Sequence, residues 1–218
     1  MFQDKQNTLR PWWVILTGIT LLAAGCRTTA TPTPTQSVPA VSPAYKQFGS
    51  PSAPVTLEVY TDYECPACAR LYKDTIPMLM ADYVITGKIR MVHRDYPLAM
   101  HPYSKIAARY ANAAGTVGQY GVAVDRLFTT QAQWARDGDV ETQLSQVLSP
   151  DAMQKVRSLV TGDPHLDDTV AADVAMGNQD HLSETPTLVV VHDGKREIIK
   201  GAPDYGLLKS YLDRLLAH

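Results

Sequence analysis

Cys65-Pro66-Ala67-Cys68 places two thiols one helical turn apart directly behind a strand-like run, and this arrangement constrains the fold more than any other stretch. Val55, Leu57 and Val59 alternate along residues 55–60, the pattern of a half-buried strand. Residues 61–64 then form a short turn, and the segment from Pro66 onward favours helix. Pro66 suits the first helical position, where no N–H is needed and its fixed φ is already helical. Cys65 therefore falls at the N-cap and Cys68 one turn inside. Their sulfurs can bridge without moving the backbone.

That position also makes the first thiol reactive. Unpaired amides and the positive end of the helix dipole stabilise a thiolate at Cys65. Thiols in such motifs have pKa values of roughly 3.5 to 7.5, against about 8.5 for free cysteine. Cys68, deeper in the helix, is shielded. The expected division is Cys65 as the attacking or attacked sulfur and Cys68 as the resolving sulfur, with Pro66 and Ala67 supporting the motif.

The chain has 218 residues, enough for one sizeable core plus appendages. A formal net charge of −2 gives no argument for nucleic acid, and 45% hydrophobic content supports a folded domain. The N-terminus differs. Residues 1–10 are polar, with Lys5 and Arg10, and residues 12–24 are apolar but fall short of the about 20 residues that span a membrane. Leu22-Ala23-Ala24-Gly25-Cys26 closes the run. A charged start, a short apolar stretch and small residues describe an export signal. The terminal cysteine makes it resemble a bacterial lipoprotein lipobox, which implies lipidation of Cys26. An ordinary signal peptide, or an uncleaved anchor with Cys26 incidental, is the alternative. With Cys26 lipidated, only Cys65 and Cys68 remain of the three cysteines. A staple across so short a loop closes little chain entropy, which favours exchange chemistry over a structural disulfide.

Residues 26–44 are rich in Thr, Pro, Ala and Ser and read as a tether. In extended form, at roughly 3.1 Å per residue, they hold the domain some 50 Å from a membrane surface. The folded part follows from residue 45. Pro77 should kink the helix that carries the motif. Residues 88–93 look like a second strand, and residues 102–179 are helical in pattern. Ile106, Ala107, Tyr110, Ala111 and Ala114 make one apolar stripe, and Val122, Val124, Leu127 and Phe128 another. Further helices are expected over 140–147, 151–160 and 165–176, with breaks at Ser149-Pro150 and Gly162-Asp163-Pro164. Strand pattern returns at 187–191, Asp193-Gly194 is a two-residue hairpin turn, and 196–200 is the partner strand. Tyr205, Leu208, Tyr211, Leu212 and Leu215 recur at helical spacing.

This order, headed by Val-Thr-Leu-Glu-Val-Tyr-Thr-Asp-Tyr-Glu-Cys-Pro-Ala-Cys, resembles the DsbA-like branch of the thioredoxin superfamily. Arg94-Asp95-Tyr96-Pro97-Leu98 with His101-Pro102, and Gly118-Gln119-Tyr120 with Leu127-Phe128, resemble further segments of that family. The resemblance implies an α/β thioredoxin fold, a central mixed sheet flanked by helices, with an inserted helical domain. It divides the chain into a signal peptide (1–25), a lipidated cysteine and tether (26–44), two thioredoxin-like parts (45–100 and 181–218) and a helical insertion (101–180). Thr185-Pro186-Thr187 resembles the family's cis-proline loop. That implies a cis Pro186 facing the motif and Thr185 offering substrate a backbone edge and a hydroxyl near Cys65.

Two departures bear on redox strength. Ala67 offers the thiolate neither charge nor hydrogen bond from its side chain, and Val59 occupies the strand position where relatives carry a buried carboxylate, Glu58 pointing the other way. Glu64 opposes ionisation if it lies close. The expectation is a Cys65 pKa in the upper part of the motif's range and a mild oxidant, testable by ultraviolet thiolate titration. His93, His101, His165, His181, His192 and His218 show no metal spacing, and neither metal nor organic cofactor is expected.

The reading is therefore an exported, membrane-tethered thiol–disulfide oxidoreductase, acting as an oxidase on exported proteins that carry thiols or disulfides. A membrane redox partner resets the cysteine pair, and the lipid on Cys26 holds the enzyme in the cell envelope or periplasm. The alternatives are a disulfide reductase or isomerase, and a non-catalytic peptide-binding lipoprotein with a structural disulfide.

Overall fold

β-branched and aromatic residues dominate 55–61, and this segment becomes the middle strand of a five-stranded sheet in the computed structural model. The structure describes residues 42–217; the expected export signal, Cys26 and the expected tether up to residue 41 lie outside them. Ser42 is already buried, and Ala44–Lys46 forms a 3-10 turn at the expected end of the tether. The strands are β1 (Gln47–Phe48), β2 (Val55–Thr61), β3 (Ile89–Asp95), β4 (Thr187–His192) and β5 (Lys195–Lys200). They run in the order β1-β3-β2-β4-β5. β2 and β3 are parallel, with Val55 beside Ile89 and Thr61 beside Asp95. The pairs β1–β3, β2–β4 and β4–β5 are antiparallel. Asp193 and Gly194 both have positive φ, as the tight β4–β5 turn demands.

The helices are α1 (Pro66–Asp74), α2 (Ile76–Leu79), α3 (Ser104–Thr116), α4 (Tyr120–Thr129), α5 (Gln131–Trp134), α6 (Val140–Ser145), α7 (Pro150–Gly162), α8 (His165–Gln179) and α9 (Tyr205–Leu216). Pro77 ends α1 rather than bending it. Lacking an N–H, it cannot continue the ladder, and α2 begins afresh after Thr75 and leads into a π turn at Met80–Val84. Side-chain caps set other starts: Asp139 accepts from Thr142 N, Ser149 from Ala152 N and Asp204 from Gly206 N.

Both faces of β2 are covered, so the half-buried strand expected from alternation is buried throughout apart from Thr56. Val55, Leu57 and Val59 pack with Ile89, Met91, Leu188 and Val190 against α2, the π turn and α9. The opposite face carries Glu58 and Tyr60 and receives α8. A second cluster fills the helical insertion around Ala111, Leu127, Trp134 and Leu144, and it includes both motif cysteines.

Charge rather than oil joins the chain's first turn to sheet and insertion. The fully buried ammonium of Lys46 lies 2.6 Å from Asp95 and bonds Asp173 of α8. Burial opposes that charge, but Asp95 and Asp173 outweigh it and raise the Lys46 pKa. Arg94 bridges Asp173 (3.0 Å) and Glu58 (2.7 Å), and Arg196 of β5 also reaches Glu58 (2.6 Å). Asn112 of α3 donates to Asp95 at 2.7 Å.

Removing one partner of such a cluster strands the rest without water. Lys46→Met is expected to cost about 3–5 kcal/mol in chemical denaturation. A loss under about 1 kcal/mol would contradict the role given to this lysine.

Candidate active site

The register of β2 on β4 creates the site. Tyr60 pairs with Thr187, so the chain leaving β2 into the motif meets the chain entering β4 from Thr185 and Pro186. The Thr185–Pro186 bond is cis, and the Pro186 carbonyl accepts from Gly201 N at 2.9 Å. Thr185 presents its carbonyl 3.3 Å from Cys65 Sγ, which as a thiol donates to it. The structure thus brings Cys65, Cys68, Thr185 and Pro186 together from segments 120 residues apart.

Local hydrogen bonds hold the motif turn. Cys65 is the N-cap of α1, with Pro66 in its first turn. Cys65 N donates to Asp62 O (3.1 Å), while Cys68 N and Ala69 N donate to Cys65 O (3.0 and 3.2 Å). Asp62 is fully buried, and its carboxylate accepts from Glu64 N (2.8 Å) and Leu98 N (2.7 Å), with His101 Nδ1 2.8 Å away. From the insertion, the Gln131 amide donates to Tyr63 O and Cys65 O.

The two sulfurs are unbridged and unequal. Cys65 keeps 7% of its surface exposed, and Cys68 none. The Cys65 pKa is lowered to about 5, first by the Cys68 thiol donating to its sulfur, against the opposing effect of burial. The N–H groups of Cys68 and Ala67 and the Thr185 side chain add to the lowering. Burial pushes the Cys68 thiol well up, and its bond to Cys65 and the Cys65 charge push it further. The Thr185 hydroxyl is itself buried and makes no hydrogen bond of its own in the structure.

The Cys65 value lies below the upper part of the motif's range expected from Ala67, Val59 and Glu64. Ala67 contributes its backbone N–H rather than its side chain. The Glu64 carboxylate is engaged elsewhere, accepting from Tyr103 N at 2.7 Å. Val59 faces the apolar core, and Glu58 on the other face is tied to Arg94 and Arg196.

His93 lies beneath the motif, fully enclosed between Thr61 and the Tyr120 hydroxyl, which is 2.7 Å from Nδ1. Burial drives its pKa down to about 3, so it is a neutral core residue. Among the described residues no three His, Cys, Asp or Glu side chains converge as metal ligands. Two open clefts flank α1. One, of about 510 Å³, lies against α4 with Tyr72 and Phe128 in its walls; the other, of about 390 Å³, faces the start of α9 and includes Met78 and Tyr205. Sequence reasoning missed Asp62 and Gln131: apart from the local bond from Glu64 N to Asp62, their partners are 36 and 66 or more residues away.

Residues 43–214 match the family model described as Thioredoxin. Among solved structures, alpha-DsbA1 of Wolbachia pipientis aligns with a TM-score of 0.67 at 19% identity, covering 79% of this chain and 90% of that one. DsbA2 of Pseudomonas aeruginosa aligns at 0.62 with 24% identity over 80% and 96% of the two chains. Oxidised BdbD of Bacillus subtilis aligns at 0.65 with 20% identity over 79% and 93%. At these identities the likeness is one of fold. A curated relative, the Na(+)/H(+) antiporter NhaA 3 of Salinispora tropica, is 32% identical over 154 residues, 68% of this chain and 21% of that protein. NhaA 1 of Salinispora arenicola is 37% identical over 86 residues, 39% of this chain and 13% of that protein. The chain therefore spans about a fifth or less of these relatives' length.

Thiolate absorbance of the reduced protein is expected to titrate near pH 5. The reduction potential should then fall with pH by about 59 mV per unit below that point and about 30 mV above it, since one proton fewer is carried by the dithiol. Thr185→Val, which removes the hydroxyl at nearly constant volume, should move the midpoint upward. An unshifted midpoint would show that the hydroxyl does not serve the sulfur.

Proposed function

We propose that this chain, which belongs to the thioredoxin family in its DsbA-like branch, is an exported thiol–disulfide oxidoreductase that works through Cys65 and Cys68, chiefly as an oxidase. The observation that carries this reading is the structural split between the two thiols: Cys65 caps α1 with its sulfur 3.3 Å from the Thr185 carbonyl and partly open, while Cys68 is fully enclosed. Two equally inert cysteines, as a purely structural disulfide or a peptide-binding lipoprotein would have, do not account for that split.

In the oxidising direction a substrate thiolate attacks Cys65 Sγ of the Cys65–Cys68 disulfide. The S–S bond breaks and Cys68 leaves as a thiolate, which takes up a proton because its pKa lies well above the ordinary range. A second substrate thiolate attacks the substrate sulfur of the mixed disulfide. Cys65 then departs as a stable thiolate, a good leaving group because of its low pKa. Two electrons have passed to the enzyme, and a membrane redox partner must remove them. Stabilising the Cys65 thiolate favours the reduced enzyme, which supports oxidation of substrates over their reduction. Above pH 5 that preference is present; it fades as pH falls through the Cys65 pKa and the thiolate is protonated. Thr185 supplies the edge on which a substrate strand lies, and Pro186 brings that edge to the sulfur.

Export and tethering through Cys26 are part of the same proposal, supported by the N-terminal sequence pattern and by the oxidising setting that such chemistry needs. Exported proteins with free thiols are the substrate class.

Cys65→Ser should abolish peptide oxidation and insulin reduction alike, while Cys68→Ser should trap mixed disulfides. Retained activity without Cys65 would refute the mechanism. Measured against glutathione, a reduction potential near about −120 mV would mark a dedicated oxidant, and one near about −270 mV would reassign the enzyme as a reductant. Cys26→Ala should shift the protein from the membrane fraction to the soluble fraction of the envelope; unchanged membrane association would remove the lipid anchor from the proposal.

A further inference from the structure

Gln131 opens α5 in the helical insertion, and little of it is exposed. Its amide nitrogen donates to Tyr63 O at 2.7 Å and to Cys65 O at 2.9 Å. Both hydrogens of a primary amide are thereby spent on one turn of backbone. The residue is well anchored for this. Ala135 N donates to Gln131 O at 3.0 Å, and the Thr130 hydroxyl donates to Arg126 O at 2.7 Å. The fully buried Trp134 donates to Leu127 O at 2.8 Å.

The two carbonyls flank the reactive residue. Cys65 O also accepts from Cys68 N and Ala69 N, so it closes the first turn of α1. Where that carbonyl points is coupled to the first turn through the hydrogen bonds that Cys68 N and Ala69 N donate to it, so fixing the carbonyl restrains the turn that carries the Ala67 and Cys68 N–H groups. Those N–H groups, from Ala67 and Cys68, also stabilise charge on the Cys65 sulfur. Tyr63 is buried, its ring stacked on Phe128 of α4, so a carbonyl deprived of Gln131 would have to turn toward another donor.

We propose that Gln131 is a positioning residue: its amide holds the Cys65 turn so that the first-turn N–H groups face the sulfur, which makes the helical insertion a working part of the exchange site. This rests on Cys65 being the exchanging sulfur. The amide does not touch that sulfur and takes no part in bond making. It sets the frame from the helical insertion.

The test compares Gln131→Met, which keeps the bulk and removes both donors, with Trp134→Phe, which loosens the same short helix without touching the turn. In Gln131→Met the Cys65 thiolate titration should move upward by about one pH unit, a tenfold change in ionisation constant. Trp134→Phe should lower the melting temperature and leave the midpoint in place. A Gln131→Met protein that melts lower but titrates like the parent overturns the proposal, as does an equal midpoint shift in Trp134→Phe. A measurement on the unaltered protein needs no variant to fold: the Gln131 side-chain amide resonances should shift with the Cys65 titration, and flat resonances would overturn the assignment. Failure of the exchange function would appear separately, as a parent protein without disulfide exchange, whereas failure of the Gln131 role leaves the parent's exchange intact.

Discussion

The antiparallel pairing of β2 with β4 underlies everything else. It fixes Tyr60 opposite Thr187 and so delivers Thr185 to Cys65. Side chains alternate along a strand, so a slip of one residue would turn Val55, Leu57 and Val59 out of the core and Glu58 into it. The apolar set on one face and the charged set on the other leave a single acceptable register. Core packing and site assembly are thus decided by the same choice.

The second face is specified by charge. Lys46, Arg94 and Arg196 thread between Glu58, Asp95, Asp173 and Asp180, linking the first turn, three strands and α8. Buried ion pairs seldom add much net stability over apolar packing, since desolvation consumes most of the attraction. Their effect is discrimination, because any arrangement that separates them leaves naked charge in the interior. In this chain they hold the helical insertion in one position on the sheet. That fixed seat is what lets a residue of the insertion reach the motif turn with hydrogen-bond accuracy.

Much of the fold was legible in the sequence because its signals are local. The strand read at 55–60 ends at Thr61, the one read at 88–93 runs Ile89–Asp95, and the hairpin about Asp193-Gly194 and the helix from Tyr205 lie where their periodicity put them. β1 was not seen, since two residues carry no alternation. Nothing local marks Lys46 and Arg94 as buried, because their partners lie far along the chain. The acidity of Cys65 was misjudged for the same reason. It depends on where the Glu64 carboxylate turns and on how the Cys68 thiol and nearby N–H groups are aimed, and composition at the motif says nothing of either. Asp62 and Gln131 act through contacts that span the fold, so no spacing rule could single them out.

β5 is exposed along nearly its whole length and closes one side of the sheet with Lys195, Arg196 and Lys200. A rim of unsatisfied amides and carbonyls invites any extended polypeptide to add itself as a sixth strand, and cationic side chains discourage that capture. An exchange enzyme of the kind proposed would meet such extended segments in its clients. On that proposal, the basic border favours a client that is held at the sulfur and released over one annealed onto the flank of the molecule.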